Sequence, residues 1–230
     1  MIFYIIPNEF MQSIYKIQLS LNRNVLFIKG FFVLFYGVGV AGMLIPYTFP
    51  LFVKLIPFAL LLTTGALAIL HETFTRKQAV LFGIIFLAGY LVEAVGVQTG
   101  SIFGHYSYGH SLGLQLFNTP LIIGLNWLLL VYLTASVMEQ NSIPSVGKVF
   151  LASLLMLGYD IILEQVAPVL DMWYWREGNV PLQNYLSWFI IALIFHALAR
   201  AFKTDMKNKL GPFLFVCQTV FFILLLIFLI

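Results

Sequence analysis

The 230-residue chain is 61% hydrophobic and only 9% charged, and its mean hydropathy is +0.98. Soluble domains are about 45–50% apolar and about 25% charged, so the composition excludes a soluble globular protein and predicts an integral membrane protein. The formal charge of +3 says little about partners, and no nucleic-acid partner is expected.

The chain begins with a segment, residues 1–26, that we expect on the cytoplasmic surface of the membrane. Asn8 follows Pro7 and can cap a helix over residues 8–21. Apolar residues recur at helical spacing along one face of this helix, namely Phe10, Ile14, Ile17 and Leu21. The pattern predicts an interfacial helix that leads into a single transmembrane domain over residues 27–230.

Seven apolar segments follow, each close to the ~20 residues that cross ~30 Å of hydrocarbon as a helix. They are Phe27–Ile45, Leu51–Leu70, Gln78–Val97, Thr119–Met138, Val146–Val166, Gln183–Ala201 and Pro212–Ile230. The connections leave no room for a folded domain outside the membrane. The predicted fold class is all-α: a polytopic helical protein with about seven transmembrane helices, multi-pass in the cell membrane.

Basic residues are distributed unequally between the connections, and this asymmetry predicts the orientation. With a cytoplasmic N-terminus, all but two of the 12 Lys and Arg residues fall on one side of the membrane, and only Lys54 and Arg176 fall on the other. Basic segments mark the cytoplasmic face. The sequence therefore predicts an outer C-terminus and two outward loops, residues 98–118 and 167–183.

Three carboxylates lie inside predicted spans, where a charge costs roughly 2.5–3.5 kcal/mol on insertion scales. Glu93 lies one turn below the outer end of the third span, and Asp160 and Glu164 share one face of the fifth. Asn126 and Trp127 reach a similar depth on the fourth. This convergence favours a functional cavity over simple interhelical hydrogen bonding. Crowding in a partly dry site favours the protonated form of at least one carboxyl, which gives the acid and base that catalysis requires.

The two outward loops supply aromatic residues that are typical of an interfacial belt and equally of a cavity lining. They are Tyr106, Tyr108, Trp173, Tyr174 and Trp175. Glycines and prolines in the same loops favour a re-entrant cover, because non-helical backbone at membrane depth is tolerated where it lines a cavity. Asp171 and Arg176 are expected to pair within the second loop. Asn184 and Trp188 begin the sixth span and face the same space.

Two histidines of the first outward loop, His105 and His110, have a spacing that permits metal binding with Glu93 as a third ligand. Two histidines alone are a weak indication, so a hydrogen bond from histidine to a carboxylate is preferred and no metal is expected. Cys217 is the single cysteine, which leaves no disulfide framework and no cysteine-based metal site.

Two long motifs lie between about residue 90 and residue 190. The first runs from Glu93 through Gly96 and Gly100 to Phe103-Gly104-His105-Tyr106-Ser107-Tyr108. The second runs from Asp160-Ile161-Ile162-Leu163-Glu164 through Pro168, Asp171 and Trp173-Tyr174-Trp175 to Pro181-Leu182-Gln183-Asn184 and Trp188. The two motifs resemble the integral-membrane carotenoid biosynthesis family, which includes the carotenoid 1′,2′-hydratases and the bisanhydrobacterioruberin hydratase. Gln165 departs from the family pattern, which has proline there.

The resemblance implies hydration of the terminal ψ-end C1′,2′ double bond of an acyclic or monocyclic carotenoid, without an organic cofactor. An unactivated alkene must be protonated at C2, and water then captures the tertiary cation at C1. Such a site needs a protonated carboxyl, a polar group that places water, and aromatic faces near the cation. Cation–π attraction is worth about 2 kcal/mol or more when desolvated.

The expected acid is Asp160 or Glu93. Glu164, His105 and Asn126 are expected to order water. Asn126 and the remaining candidates would line the substrate pocket: Tyr106, Tyr108, Trp127, Trp173, Trp175, Asn184 and Trp188. The expected partners are the lipid bilayer, the carotenoid and water, and association with other carotenoid enzymes is left open.

Two other functions would use the same residues. A proton- or ion-coupled transporter needs polar residues along a path to the cytoplasm, and the inner halves of the spans contain few apart from His196. A non-catalytic carotenoid-binding subunit would retain pigment without converting it.

Overall fold

A computed structural model describes residues 23–71 and 74–230. The predicted interfacial helix over residues 8–21 and most of its lead-in therefore lie outside the described residues. The described chain is mainly helical, which confirms the predicted all-α class. Its helices are α1 (Val25–Leu44), α2 (Phe49–Lys54), α3 (Ile56–Ile69), α4 (Arg76–Thr99), α5 (Ile122–Met138), α6 (Ser145–Val166), α7 (Leu182–Ala201) and α8 (Gly211–Leu229).

Five helices in the described part of the chain are long and apolar enough to cross a membrane: α1, α4, α6, α7 and α8. Each coincides within a few residues with a predicted span. The two remaining predicted spans correspond to shorter apolar helices, α3 with 14 residues and α5 with 17. The chain is a multi-pass membrane protein.

The predicted span Leu51–Leu70 differs from the structure, because two helices replace one. Helix α2 ends at Lys54, and α3 begins at Ile56 with Pro57 in its first turn. Proline has no N–H for an intrahelical hydrogen bond, and its ring clashes with the carbonyl group four residues earlier. The helix is therefore interrupted at Leu55.

Helix α5 is central, since it packs against α3, α4, α6, α7 and α8. Its approach to α4 is close because glycines lie at the contact. Gly89 of α4 faces the side chain of Trp127, and Gly124 of α5 faces the backbone oxygen of Phe86. The side chain of Trp127 is completely buried as a result.

Two short antiparallel strand pairs, which the sequence did not predict, organise the loops. Strand β1 (Tyr106–Tyr108) pairs with β4 (Trp173–Trp175), so that the two predicted outward loops form one ribbon. Strands β2 (Gln115–Leu116) and β3 (Thr119–Pro120) form a hairpin just before α5.

The β2–β3 hairpin lies beside α4, well below the end of that helix. The Tyr90 hydroxyl donates a hydrogen bond to the Leu116 carbonyl oxygen at 2.6 Å. Tyr90 precedes Thr99, the last residue of α4, by about 13 Å of helix. The loop therefore runs back along α4, and α5 begins beside that part of the helix.

Candidate active site

Glu93 lies on α4 beneath the β1–β4 ribbon and accepts three hydrogen bonds. Its Oε2 atom accepts from the hydroxyls of Tyr106 at 2.5 Å and Tyr108 at 2.8 Å. Its Oε1 atom accepts from the indole N–H of Trp127 at 3.0 Å. Burial and the neighbouring Glu93 raise the pKa of both tyrosines, so both phenols keep their protons.

Glu164 lies on α6 and is held by N–H groups alone. Its Oε2 atom accepts from the indole N–H of Trp173 at 2.9 Å and of Trp175 at 2.8 Å. Its Oε1 atom accepts from the Asn184 amide at 3.0 Å. Indole and amide N–H groups can only donate, so this set of partners matches an ionised carboxylate.

Asp160, one turn earlier on α6, is completely buried and has fewer partners. Its Oδ2 atom accepts a 3.3 Å hydrogen bond from Asn184, whose amide nitrogen thereby bridges Asp160 and Glu164. Its Oδ1 atom has no hydrogen-bond partner among the described residues. A neutral carboxylic acid suits this environment, because a buried charge without a compensating cation is costly.

The β1–β4 ribbon explains how two loops serve two glutamates. Side chains two residues apart in a strand point to the same face of the sheet. Tyr106 and Tyr108 therefore point down to Glu93 from one strand, and Trp173 and Trp175 point down to Glu164 from the other. The register pairs Tyr106 with Trp175 and Tyr108 with Trp173. Tyr-Ser-Tyr and Trp-Tyr-Trp share this alternating spacing, but three residues are too few to identify a strand from the sequence.

A small cavity of about 20 Å³ lies between Glu93 and Glu164. This volume accommodates about one water molecule. Every side chain predicted to bind substrate lines it, namely Tyr106, Tyr108, Asn126, Trp127, Trp173, Trp175, Asn184 and Trp188. The rings of Trp127 and Trp188 stack at a centroid distance of 4.1 Å in its wall. The cavity thus combines two carboxyl groups with an aromatic enclosure.

A second, apolar cavity of about 330 Å³ adjoins the first and was not predicted. The two share Ile123, Asn126 and Trp173 in their walls. On its outer side the large cavity is lined by Val38, Leu55 and other side chains that are exposed on the helix surface. The break between α2 and α3 therefore lies at the wall of this cavity. The Asn126 amide, in the shared wall, makes no hydrogen bond to another described residue.

Two predicted site residues lie outside the small cavity. Asp160 does not line the cavity, but it is hydrogen-bonded to Asn184, which does. His105 is exposed, and its ring lies over Gly100 rather than beside a carboxylate. Within residues 23–71 and 74–230, no group of three or more His, Cys, Asp or Glu side chains is arranged to hold a metal ion.

The expected pairing of Asp171 with Arg176 is not among the ion pairs of the described residues. The Asp171 carboxylate instead accepts the Tyr174 hydroxyl at 2.8 Å and the His110 backbone N–H at 3.0 Å. Asp171 therefore fixes the end of the ribbon through uncharged donors, and Arg176 is exposed at the surface.

His196 takes part in a separate hydrogen-bonded group deep in the bundle. Its Nε2 atom lies 2.9 Å from Thr134 Oγ1, and its Nδ1 atom lies 2.7 Å from the Ala192 carbonyl oxygen. Both ring nitrogens thus have a hydrogen-bond partner. Thr134 joins α7 to α5, and Ala192 lies one turn earlier in α7 itself.

The fold and the two cavities together define a polytopic helical membrane protein with a carboxylate-lined chamber beside an apolar cavity. The family described as carotenoid biosynthesis protein matches residues 53–230, and the chain belongs to this family. The matched segment contains all three buried carboxylates and the complete ribbon. No curated protein and no solved structure matches the chain. The family assigns the protein a role in carotenoid biosynthesis.

Proposed function

We propose that the protein is a carotenoid hydratase, which adds water to the terminal C1′,2′ double bond of an acyclic or monocyclic carotenoid. The observation that carries the proposal is the pair of differently held glutamates that face one water-sized cavity. An apolar cavity that adjoins this space suits the hydrocarbon chain end of such a substrate.

Glu93 is the proposed acid. Two of its three hydrogen-bond partners are hydroxyl groups, and a hydroxyl can accept as well as donate. Glu93 Oε2 can therefore carry a proton while it remains hydrogen-bonded to Tyr106 or Tyr108. Transfer of this proton to C2 uses the alkene electron pair to form the new C–H bond and leaves a tertiary cation at C1.

Glu164 is the proposed base. Its carboxylate faces the same cavity and stabilises the developing cation, together with the faces of Trp127, Trp173 and Trp188. Water forms the C–O bond at C1, and its surplus proton passes to Glu164. Return of that proton to Glu93 through the hydrogen-bonded cavity completes the cycle, and the net change is alkene plus water to tertiary alcohol.

Asp160 and Asn184 act as positioning residues in this scheme. Asn184 donates to Glu164 and to Asp160 from one amide nitrogen, so Asp160 fixes the orientation in which Asn184 meets Glu164. Asn126, with a free amide between the two cavities, is suited to hold the attacking water.

The proposal is tested by Glu93→Gln and Glu164→Gln in a host that produces an acyclic ψ-end carotene. Each variant is expected to lower hydrated product at least about 100-fold, because a positioned acid or base contributes about 10²–10⁴-fold. Mass spectrometry of extracted pigments for the gain of one water measures the product. Glu177→Gln, on an exposed loop residue, is the matched control and should hydrate normally. Full hydration by membrane-inserted Glu93→Gln and Glu164→Gln would contradict the proposed roles.

A further inference from the structure

The connection between α7 and α8, residues 202–210, shows a regular alternation of buried and exposed side chains. The buried side chains are at most 8% exposed and are those of Thr204, Met206, Asn208 and Leu210. The exposed side chains that alternate with them are all charged, namely Lys203, Asp205, Lys207 and Lys209. The connection is therefore packed against the bundle through one set of side chains and presents the other set outward.

Hydrogen bonds fix this connection to three neighbouring helices. The Asn208 amide donates to the Leu67 carbonyl oxygen on α3 and to the Tyr132 hydroxyl on α5, both at 3.0 Å. The Gln78 amide on α4 donates to the Asp205 carbonyl oxygen at 2.9 Å. Since Gln78 lies in the first turn of α4 and the ribbon follows the last turn, the exposed lysines lie at the end of the bundle opposite to the ribbon.

The start of α4 adds two cations at the same place. Arg76 and Lys77 are exposed and directly precede Gln78, whose side chain reaches the connection. A cation in the first turn of a helix is disfavoured by the helix dipole, so helix stability does not explain this pair. We call the five cations together the basic face: Arg76, Lys77, Lys203, Lys207 and Lys209.

The charge of the basic face is not neutralised within the described part of the chain. The ion pairs of the described residues join Glu139 to Lys148 and to Arg200, and include no member of the basic face. The Asp205 carboxylate, the acidic group of the connection, accepts the backbone N–H of Lys207 at 2.8 Å. The basic face therefore keeps an excess of positive charge for a partner.

The position of the basic face indicates the kind of partner. The helices α4, α7 and α8 are each long and apolar enough to cross a membrane, and the basic face lies where they begin or end. Lipid phosphates lie at this level, within reach of long basic side chains. Protein interfaces are depleted in lysine and have apolar centres, whereas every exposed side chain of the connection is charged. Lipid headgroups match this surface better than a protein does.

We propose that the basic face is a binding site for anionic phospholipids, whose phosphate groups contact its lysine and arginine side chains. A zwitterionic headgroup carries the same phosphate, but its ammonium group cancels the net charge, so it should bind more weakly. Each lysine or arginine near an anionic surface raises the affinity about fivefold. The inference goes beyond the proposed reaction and does not depend on it.

The full chain, purified in an uncharged detergent, tests the inference. Phosphatidylglycerol or phosphatidylcholine with identical acyl chains is added to the micelles, and the unfolding midpoint is measured as the lipid fraction increases. A ligand that binds only the folded chain raises this midpoint. We expect phosphatidylglycerol to act at a mole fraction about tenfold lower than phosphatidylcholine. About 1 M NaCl should reduce this preference, because salt screens exposed charges.

Lys207→Gln/Lys209→Gln removes two charges from the basic face and is expected to reduce the preference for phosphatidylglycerol at least about fivefold. The unfolding midpoint without lipid shows directly whether the variant is folded. Lys54→Gln/Arg176→Gln is the matched control, because it also removes two exposed charges, both outside the basic face. This control should keep the original preference.

An unchanged preference in Lys207→Gln/Lys209→Gln, or an equal loss in Lys54→Gln/Arg176→Gln, would overturn the inference. Equal action of the two lipids on the unaltered chain would also overturn it and would favour an acidic protein as the partner. Glycerol phosphate in solution should leave the midpoint unchanged at the same concentration. If it acted as strongly as phosphatidylglycerol, the face would be a site for free phosphate esters rather than for lipid.

Discussion

At the scale of single residues, Glu93 and Glu164 have different hydrogen-bond donors, and this difference underlies their different proposed roles. Glu164 receives only N–H groups, whereas Glu93 receives two hydroxyls. Both environments come from the same sequence pattern, aromatic residues two positions apart. They differ because a tyrosine hydroxyl can donate and accept a hydrogen bond and so can pass a proton on, whereas a tryptophan indole cannot.

Trp175→Phe tests the contribution of one N–H donor to Glu164. The ring remains, but the 2.8 Å hydrogen bond is lost, and a hydrogen bond to a charged group is worth about 1.5–3 kcal/mol. We expect kcat for hydration to fall about tenfold or more, with a smaller change in KM. Tyr174→Phe removes a donor from the same strand, but to Asp171 on the opposite face, and should hydrate normally. Equal losses in the two variants would point to the ribbon as a whole rather than to Glu164.

The candidate site could be predicted from depth along the helices, and its individual contacts could not. Counting residues from span ends brought Glu93, Asp160 and Glu164 to one level. From the sequence, His105 is expected to order water in the same group, because it lies in the first outward loop and histidine can hydrogen-bond to a carboxylate. His105 instead immediately precedes β1, and its exposed ring lies over Gly100, whereas Tyr106 hydrogen-bonds to Glu93. Strands of three residues have too little periodicity to be recognised in a loop.

At the scale of helices, glycine at the α4–α5 contact sets the position of Trp127 and so of its hydrogen bond to Glu93. The broken span at Leu55 shows the converse effect of proline. The apolar composition of residues 51–70 predicted one span, because hydropathy reports the length of an apolar segment and takes no account of the missing N–H of Pro57. Both residue types act through the backbone, and the break lies in the wall of the large cavity.

Gly89→Ala tests the contact between α4 and α5. A methyl group at this position would lie 2.6 Å from Trp127 Cβ, so the helices must separate, and overpacking costs about 1–3 kcal/mol. We expect a lower unfolding midpoint in detergent and reduced hydration. Gly83→Ala, on the same helix with nothing within 4 Å, should be neutral or slightly stabilising. An equal effect at both positions would contradict close packing as the cause.

At the scale of the whole molecule, the predicted orientation places the ribbon and the small cavity toward the outer face. Charge asymmetry predicts this arrangement because basic segments are retained in the cytoplasm. Glu177 and Lys207 are exposed at opposite ends of α7, so they must lie on opposite sides of the membrane if α7 crosses it.

Cysteine labelling tests the orientation in a Cys217→Ala background. Glu177→Cys should react with a membrane-impermeant maleimide in intact cells. Lys207→Cys should react only after the cells are permeabilised. The reverse pattern would show that the protein is inserted the other way and that the site faces the cytoplasm.

The opening of the large cavity beside Val38, Leu55 and Phe58 has a kinetic consequence on the proposed function. The carotenoid arrives by lateral diffusion, and its effective concentration is a mole fraction in the leaflet. Water arrives from a bulk phase that never becomes limiting. The turnover rate then depends on the mole fraction of carotenoid in the surrounding leaflet, and the alcohol product is released into the same leaflet.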